Sequence, residues 1–478
     1  MNSKGFRLIS ALFVGLMLTG MMFYKSTLVT KAQGGCDLSG PYPTPTPVPT
    51  PEINFSSLSS YNLEYDASTA PCFTIVQVGA GQDLGAAINQ ADAALCSGGS
   101  IEVWGGGEIM TQAIVGHHIH FDSYTYYCST QTGEGCILLK DGVLAEGSST
   151  IIYEPTFIDL DGHPAITVFQ SYADAASPPA QAHTGLSQNI GVEGFIFWGR
   201  QTRSDGGVRS TVNLGNCHWC GVMNNYLIYT SSIGIQFGGS SETGNFADNV
   251  LVYNNQFLTL PAANIALVNA DHALVIGNIG SAPGFARGPS GGGNSGIDIE
   301  PNSPLDHAAF IGLYNNQFDY SGAAAYGSAI LVQNPYQSSL VHDITVANNR
   351  ALDGCPNLTT NHRLSAGVQT GRPIGNLFVA NNYVTIATQD CLAIYGDGGV
   401  FQDNQCISTG GGGNFAVYLK AVHGVQLLRN LIWDAPNTQT STGPFIYEDP
   451  DSSGNIFSGN TVCVIHDPLY QTCEPPRP

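Results

Sequence analysis

Val252-Tyr-Asn-Asn-Gln-Phe-Leu258 and Leu313-Tyr-Asn-Asn-Gln-Phe-Asp-Tyr320 are nearly the same phrase, an apolar run broken by a pair of asparagines and then resumed. Working outward, the same interruption recurs with asparagine at 225, 255, 278, 316, 349, 382, 404, 430 and 460. The successive gaps are 30, 23, 38, 33, 33, 22, 26 and 30 residues. A self-similar unit of this size marks a solenoid, in which no coil buries its apolar face alone and stability comes from stacking neighbours. The irregular period favours a parallel β-helix, where short gaps are bare coils and long ones carry loops. The competing β-propeller has longer, evenly spaced blades of about 40–50 residues. Asparagine suits the turn because it tolerates left-handed backbone angles and can hydrogen-bond the equivalent residue of the next coil. These residues are therefore expected to be structural.

Composition agrees. The 478-residue chain has 58 Gly and only 15 Lys+Arg against 36 Asp+Glu, a formal charge of −21. Glycine-rich, charge-poor sequence suits short strands and tight turns rather than amphipathic helices. The acidic balance argues against nucleic acid and anionic membrane as partners, since both require basic patches. Lys4 and Arg7 followed by the apolar run from Leu8 to Tyr24 read as an export signal or an uncleaved signal anchor over residues 1–32. Membrane contact is expected only through that segment. Residues 33–71 form a linker and lead-in holding the proline-rich run PYPTPTPVPTP from Pro41 to Pro51, a semi-rigid spacer. The remaining 72–478 read as one β-helix domain. All 12 cysteines lie beyond the leader, consistent with an oxidising, secreted or cell-surface setting. Cys72/Cys96, Cys128/Cys136 and Cys463/Cys473 are candidate local pairs. Cys217-His-Trp-Cys220 has redox or metal spacing but lacks a second such pair, which favours structural cysteines.

At the start of the body, Phe73 to Val78 reads as a strand, Asp83 as a helix N-cap, and Leu84 to Leu95 as a short helix with Leu84, Ile88, Ala91 and Leu95 on one face. Gln82-Asp-Leu-Gly-Ala-Ala-Ile-Asn89, the GGSIEVWGGG stretch from Gly98, and the DGV and SSTIIY segments resemble the N-terminal cap of the pectin-lyase-like superfamily. That resemblance implies a right-handed single-stranded parallel β-helix plugged by the helix, all-β otherwise, acting on polysaccharide or serving as a surface protein. It selects no member family. The NTD, DD, GHG and RIK motifs of polygalacturonases are absent, and Tyr395-Gly-Asp397 resembles only the beginning of the alginate epimerase signature.

A second strand can be overlaid from coil to coil: Ile235-Gln-Phe-Gly, Ile265-Ala-Leu-Val, Ile297-Asp-Ile-Glu, Ile330-Leu-Val-Gln, Val368-Gln-Thr-Gly, Leu392-Ala-Ile-Tyr and Phe415-Ala-Val-Tyr. Apolar first and third positions point inward, so the second and fourth line an external sheet. Within it, Asp298 and Glu300 are the pair on which chemistry is expected. Two apart on a strand, they stand roughly 6–7 Å from each other, a separation used by the paired carboxyls of glycoside hydrolases and equally suited to Ca²⁺. No motif demands a cofactor, and Ca²⁺ on Asp298 and Glu300 is the one candidate. Arg287, in the glycine-rich insertion before this strand, with Arg372 and Lys420, are the candidate cations for offsetting or abstracting charge. Gln236, Asp271, Gln333, Gln369, Tyr395, Asp397 and Tyr418 are the expected contacts to an extracellular polysaccharide, through hydroxyl hydrogen bonds and ring stacking. The expected function is cleavage of that polymer by a lyase or hydrolase, or binding without turnover as an adhesin. His118 and His120 share a strand face with Asp122, which admits a metal site or an ordinary wet strand.

Overall fold

The computed structural model describes residues 70–129, 135–147, 151–153, 167–175, 185–198, 210–228, 233–238, 244–258, 263–281, 294–319, 327–352, 364–386, 390–408, 415–434, 446–467 and 470–474. The export segment and the proline-rich spacer lie outside them. So do Arg287 and the glycine-rich insertion around it.

From Ser100–Val103 to Thr461–Asp467 every third strand falls in the same sheet. The chain thus winds through a first sheet of 14 strands, opening with Phe73–Val76, a second of 12, opening with Ala113–Val115, and a third of 14, opening with Gly107–Ile109. One coil consists of Ala263–Leu267 in the second sheet, Ala270–Ile276 in the first and Ile279–Ser281 in the third. Its neighbour repeats the order with Asn294–Ile299, Ala308–Tyr314 and Gln317–Asp319, paired in parallel at each step. This is the expected right-handed parallel β-helix. Inward side chains form one continuous core from Val76 to Val462, with the rings of Phe121, Phe169, Phe195 and Phe197 in mutual contact.

The asparagine turns divide their labour between two adjacent residues. The first residue of each pair takes the left-handed backbone, as at Asn224, Asn254, Asn315, Asn348 and Asn381. The second is buried and makes the ladder. Asn316 Oδ1 accepts both the backbone N–H and the Nδ2 of Asn278, at 3.1 and 2.9 Å. Asn316 then donates its own N–H and Nδ2 to Asn349 Oδ1 at 2.9 and 3.0 Å, and Nδ2 also reaches Val275 O. The pattern continues through Asn382, Asn404, Asn430 and Asn460, so buried turn amides that no sheet can satisfy are paired coil by coil.

The cap forms as the sequence predicts. The helix Leu84–Ala94 starts at Asp83, whose carboxylate accepts the N–H groups of Gly85, Met110 and Thr111, and it presses Leu84 and Ile88 onto the open end of the core. At the other end Tyr470–Glu474 folds back antiparallel on Thr461–Asp467 and closes the third sheet. Disulfides join Cys72–Cys96 and Cys128–Cys136 as expected, and also Cys217–Cys220 and Cys391–Cys406. Cys463 is disulfide-bonded and lies directly across from Cys473. Cys217 and Cys220 are fully buried within the strand Cys217–Met223, which makes their bond a structural one. No helix among the described residues is long and apolar enough to cross a membrane.

Candidate functional site

The second sheet does not alternate simply. Each strand turns two consecutive residues inward before alternation resumes: Ala329 and Ile330, Cys391 and Leu392, Ala416 and Val417 all belong to the core. In the strand Asn294–Ile299 the pair is Gly296 and Ile297. A Cβ on Gly296 would lie 2.5 Å from the Phe318 ring and 2.6 Å from Ala329 O, so glycine is required there. Ser295 before this pair and Asp298 and Glu300 after it are left on the outer face. Ser328, in the register position of Ser295, confirms that direction by donating its hydroxyl to the outward Gln369 at 2.8 Å.

Three rows of outward residues follow. The middle row runs Asn213, Gln236, Ala266, Asp298, Leu331, Gln369, Ala393, Tyr418, Tyr447, each a register partner of the next. One flanking row holds Ile233, Ala263, Ser295, Ser328, Ala366 and Asp390. On the other side Gln333, Gly371 and Tyr395 are in register. Glu300 precedes them and Lys420 follows them, each one residue beyond a paired position. With about 4.8 Å per coil, Gln236 and Gln369 each lie roughly 10 Å from Asp298, and Tyr418 roughly 19 Å away.

Asp298 therefore sits between Ala266 and Leu331, beside an outward apolar cluster of Ile233, Ala263, Ala266 and Val268. Its Oδ1 is buried and meets no hydrogen-bond donor among the described residues. Burial, and then the charge of Glu300, push its carboxyl up to about 8. Glu300 is raised by burial as well. The charge of Glu300 acts on Asp298, and a carboxyl raised to about 8 keeps its proton at neutral pH, as a general acid requires.

The predicted residues are not all gathered here. Arg372 is exposed in the turn after Leu364–Gly371, two coils from Glu300, and Lys420 is four coils from it, too far to touch the acid pair. Asp271 belongs to the first sheet, not to this face. It is buried, accepts the N–H of Ala309 at 2.9 Å and pairs with His307 Nδ1 at 2.9 Å. Asp397 lies in the exposed turn beyond Tyr395 and receives the N–H and Nδ1 of His423. The overlay at Phe415 is two residues out. Val417 pairs with Leu392, so Tyr418 stands against Ala393 instead of Tyr395, because Ala416 and Val417 supply the inward pair.

That slip exposes a cluster which the overlay missed. Phe415 stands on the outer face and donates its N–H to Asp390 Oδ1 at 3.3 Å. Its ring stacks on Tyr447, centroids 4.3 Å apart and 12° between planes, while Tyr395 and Tyr418 meet edge to face at 5.9 Å. Burial pushes the Asp390 carboxyl up to about 7 and the Tyr395 phenol to about 12. The missed signal is the doubled inward position, which puts Asp390 in the row of Ser295 and Ser328.

Among the described residues no three His, Cys, Asp or Glu side chains come together to hold a metal. Ca²⁺ takes 6–8 oxygens, and on this face it would rest on Asp298 and Glu300 with only neutral neighbours, a poor fit. His120 pairs with Glu102 at 2.8 Å, and His118 Nδ1 accepts the N–H of Leu144. Burial holds His118 down at about 4, so both histidines have structural partners.

No protein-family model matches the chain, and no curated protein does. Solved structures do. The tailspike protein of Escherichia coli bacteriophage HK620, in complex with a hexasaccharide, is 14% identical with a TM-score of 0.53 over 81% of this chain and 64% of that one. The chain thus spans less than two thirds of that tailspike. The catalytic unit of an α-1,3-glucanase from Streptomyces thermodiastaticus is 15% identical, TM-score 0.47, over 82% of this chain and 69% of that one. A surface adhesin of Streptococcus pneumoniae is 12% identical, TM-score 0.44, over 83% and 91%. At these identities the likeness concerns the fold alone, a parallel β-helix.

Proposed function

We propose that the outer face of the second sheet is a polysaccharide groove and that the protein is an exported glycoside hydrolase acting there. Asp298 donates a proton to the leaving oxygen, and Glu300 serves as general base or nucleophile. The observation that carries this reading is the acid pair. One carboxyl is held between Ala266 and Leu331 with an unsatisfied oxygen, and the other stands two residues along the same outward face. Gln236, Gln333 and Gln369 supply neutral hydrogen-bonding groups along the strands on either side, as sugar hydroxyls require. The hexasaccharide-bound tailspike lends support, being a carbohydrate-binding protein of similar fold. The disulfides Cys72–Cys96, Cys128–Cys136, Cys217–Cys220 and Cys391–Cys406 fit an oxidising exterior.

Elimination is less well supported by the described residues, since it needs a base at the reacting carbon and a cation for the adjacent carboxylate. Lys420 lies four coils from Glu300, and Arg372 projects from a turn two coils away. Incubation with a polysaccharide panel separates the readings. New reducing ends without unsaturated-product absorbance are expected, and a rise in that absorbance would replace hydrolysis by elimination. Asp298→Asn and Glu300→Gln should each abolish the activity. Wild-type turnover in both would remove the acid pair from the mechanism, and binding without turnover by the wild type would leave a surface lectin or adhesin.

A further inference from the structure

The Asp390 cluster lies on the same face as the acid pair, three to five coils further along, and takes no part in the proton chemistry assigned to Asp298 and Glu300. From it we infer that this end of the groove is a subsite for an uncharged, hydroxyl-bearing sugar ring, so that the polymer bound is neutral rather than a polyuronate. The inference rests on the groove reading and adds its substrate class.

Three features converge. First, the rings around Asp390 form walls at different angles: Phe415 and Tyr447 are parallel, Tyr395 stands perpendicular to Tyr418, and Tyr418 tilts 39° to Tyr447. Such rings offer C–H faces of a pyranose a flat surface, and their edges confine it. All four are half-buried, so their apolar faces are already partly withdrawn from water. Second, the Asp390 carboxylate accepts a single long amide bond, from Phe415, among the described residues. A carboxylate has about four lone-pair sites, so acceptor capacity remains for two hydroxyl donors on adjacent sugar carbons. Burial raises its proton affinity, which is the cost a hydroxyl pair would offset by solvating the charge. Third, the face repels anions. Among the described residues from Asp298 to Asp449 its outward rows carry Glu300, Asp390 and Asp449 beside the protonated Asp298, against Lys420 and, in the turn beyond Gly371, Arg372, on a chain of net charge −21. A uronate at the Asp390 end would set like charge against a half-buried carboxylate.

The experiment is affinity electrophoresis of the full chain in native gels containing dextran, hydroxyethylcellulose, polygalacturonate or alginate. Retardation in at least one neutral gel and in neither uronate gel is expected. Asp390→Asn and Tyr447→Ala should each weaken that retardation about tenfold in apparent Kd, the loss of roughly 1.4 kcal/mol at a central contact. Tyr447→Phe, which keeps the ring, should match the wild type and shows that a loss in Tyr447→Ala comes from the missing ring. Retardation only in the uronate gels, or in none, overturns the inference. If Gln369→Ala weakens binding while Asp390→Asn and Tyr447→Ala do not, the groove stands and this subsite falls. If none of the three changes a retarded wild type, the groove reading itself falls.

Discussion

Two columns of residues run along this solenoid, and they differ in one respect that separates structure from chemistry. The ladder between the first and third sheets repeats asparagine, and in every described rung from Asn225 to Asn430 the side chain both accepts and donates. The middle row of the second sheet changes residue almost every coil, from Gln236 through Ala266 and Asp298 to Leu331 and Gln369, and leaves Asp298 Oδ1 without a partner. Repetition with full satisfaction is what a solenoid needs to propagate. Variation with an unmet buried acceptor is a cost the coil geometry does not require, and such costs gather at functional sites.

The comparison breaks first at the acid pair. Asp298→Asn should lower kcat by about 10²–10⁴-fold, the usual contribution of a positioned acid, without lowering the melting temperature. An unstable but active variant would reverse the two columns' roles. The ladder should show the opposite behaviour. Asn316→Ala strips acceptors from the N–H and Nδ2 of Asn278 and removes the Nδ2 donor to Val275 O, at a cost of about 2–4 kcal/mol in urea unfolding. Its kcat per folded molecule should be unchanged, and a loss under 1 kcal/mol would show the ladder to be dispensable.

The third test sharpens the contrast through pH. Asp298 binds its proton more tightly folded than unfolded, so between the ordinary value of 3.8 and about 8 the native state holds more protons than the unfolded state. Stability contributed by the protonated group is complete below pH 4 and falls as pH rises to 8, by roughly 2–5 kcal/mol in total. Urea unfolding at pH 5 and pH 9 should show that decline in the wild type and much less of it in Asp298→Asn. Equal declines would mean that the carboxyl is solvated. On the activity side, kcat should fall above about pH 8 as the acid ionises. The smallest effect is expected at Lys420, exposed and remote from the acids. Lys420→Ala should change stability by about 0.5 kcal/mol or less and turnover about twofold at most. A large loss there would favour elimination.

The ladder and the cap were fully legible in the sequence, because asparagine in a buried turn and Asp83 before a helix each meet a local hydrogen-bonding need that leaves a visible spacing. The groove was legible only in part. Asp298 and Glu300 sit as the strand period predicts, but Asp271 and Tyr418 were misplaced for definite reasons. Asp271 follows a turn into another sheet, and strict alternation fails where each strand turns two residues inward. Asp390, Phe415 and Tyr447 were hidden by that same doubling. It leaves little trace in residue type, since the first inward position is held by Gly296, Ala329, Cys391 and Ala416 in turn.

The Cys391–Cys406 bond joins a strand of the second sheet to the third-sheet strand of the same turn of the solenoid, with both sulfurs inside the core. In a one-dimensional stack, opening starts at the ends and travels rung by rung. A covalent hoop around one rung cannot open with its neighbours, so fraying from the C-terminal end should halt at the turn that carries Asp390. Amide exchange would then show a step in protection there instead of a gradient, with the acid pair on the sheltered side.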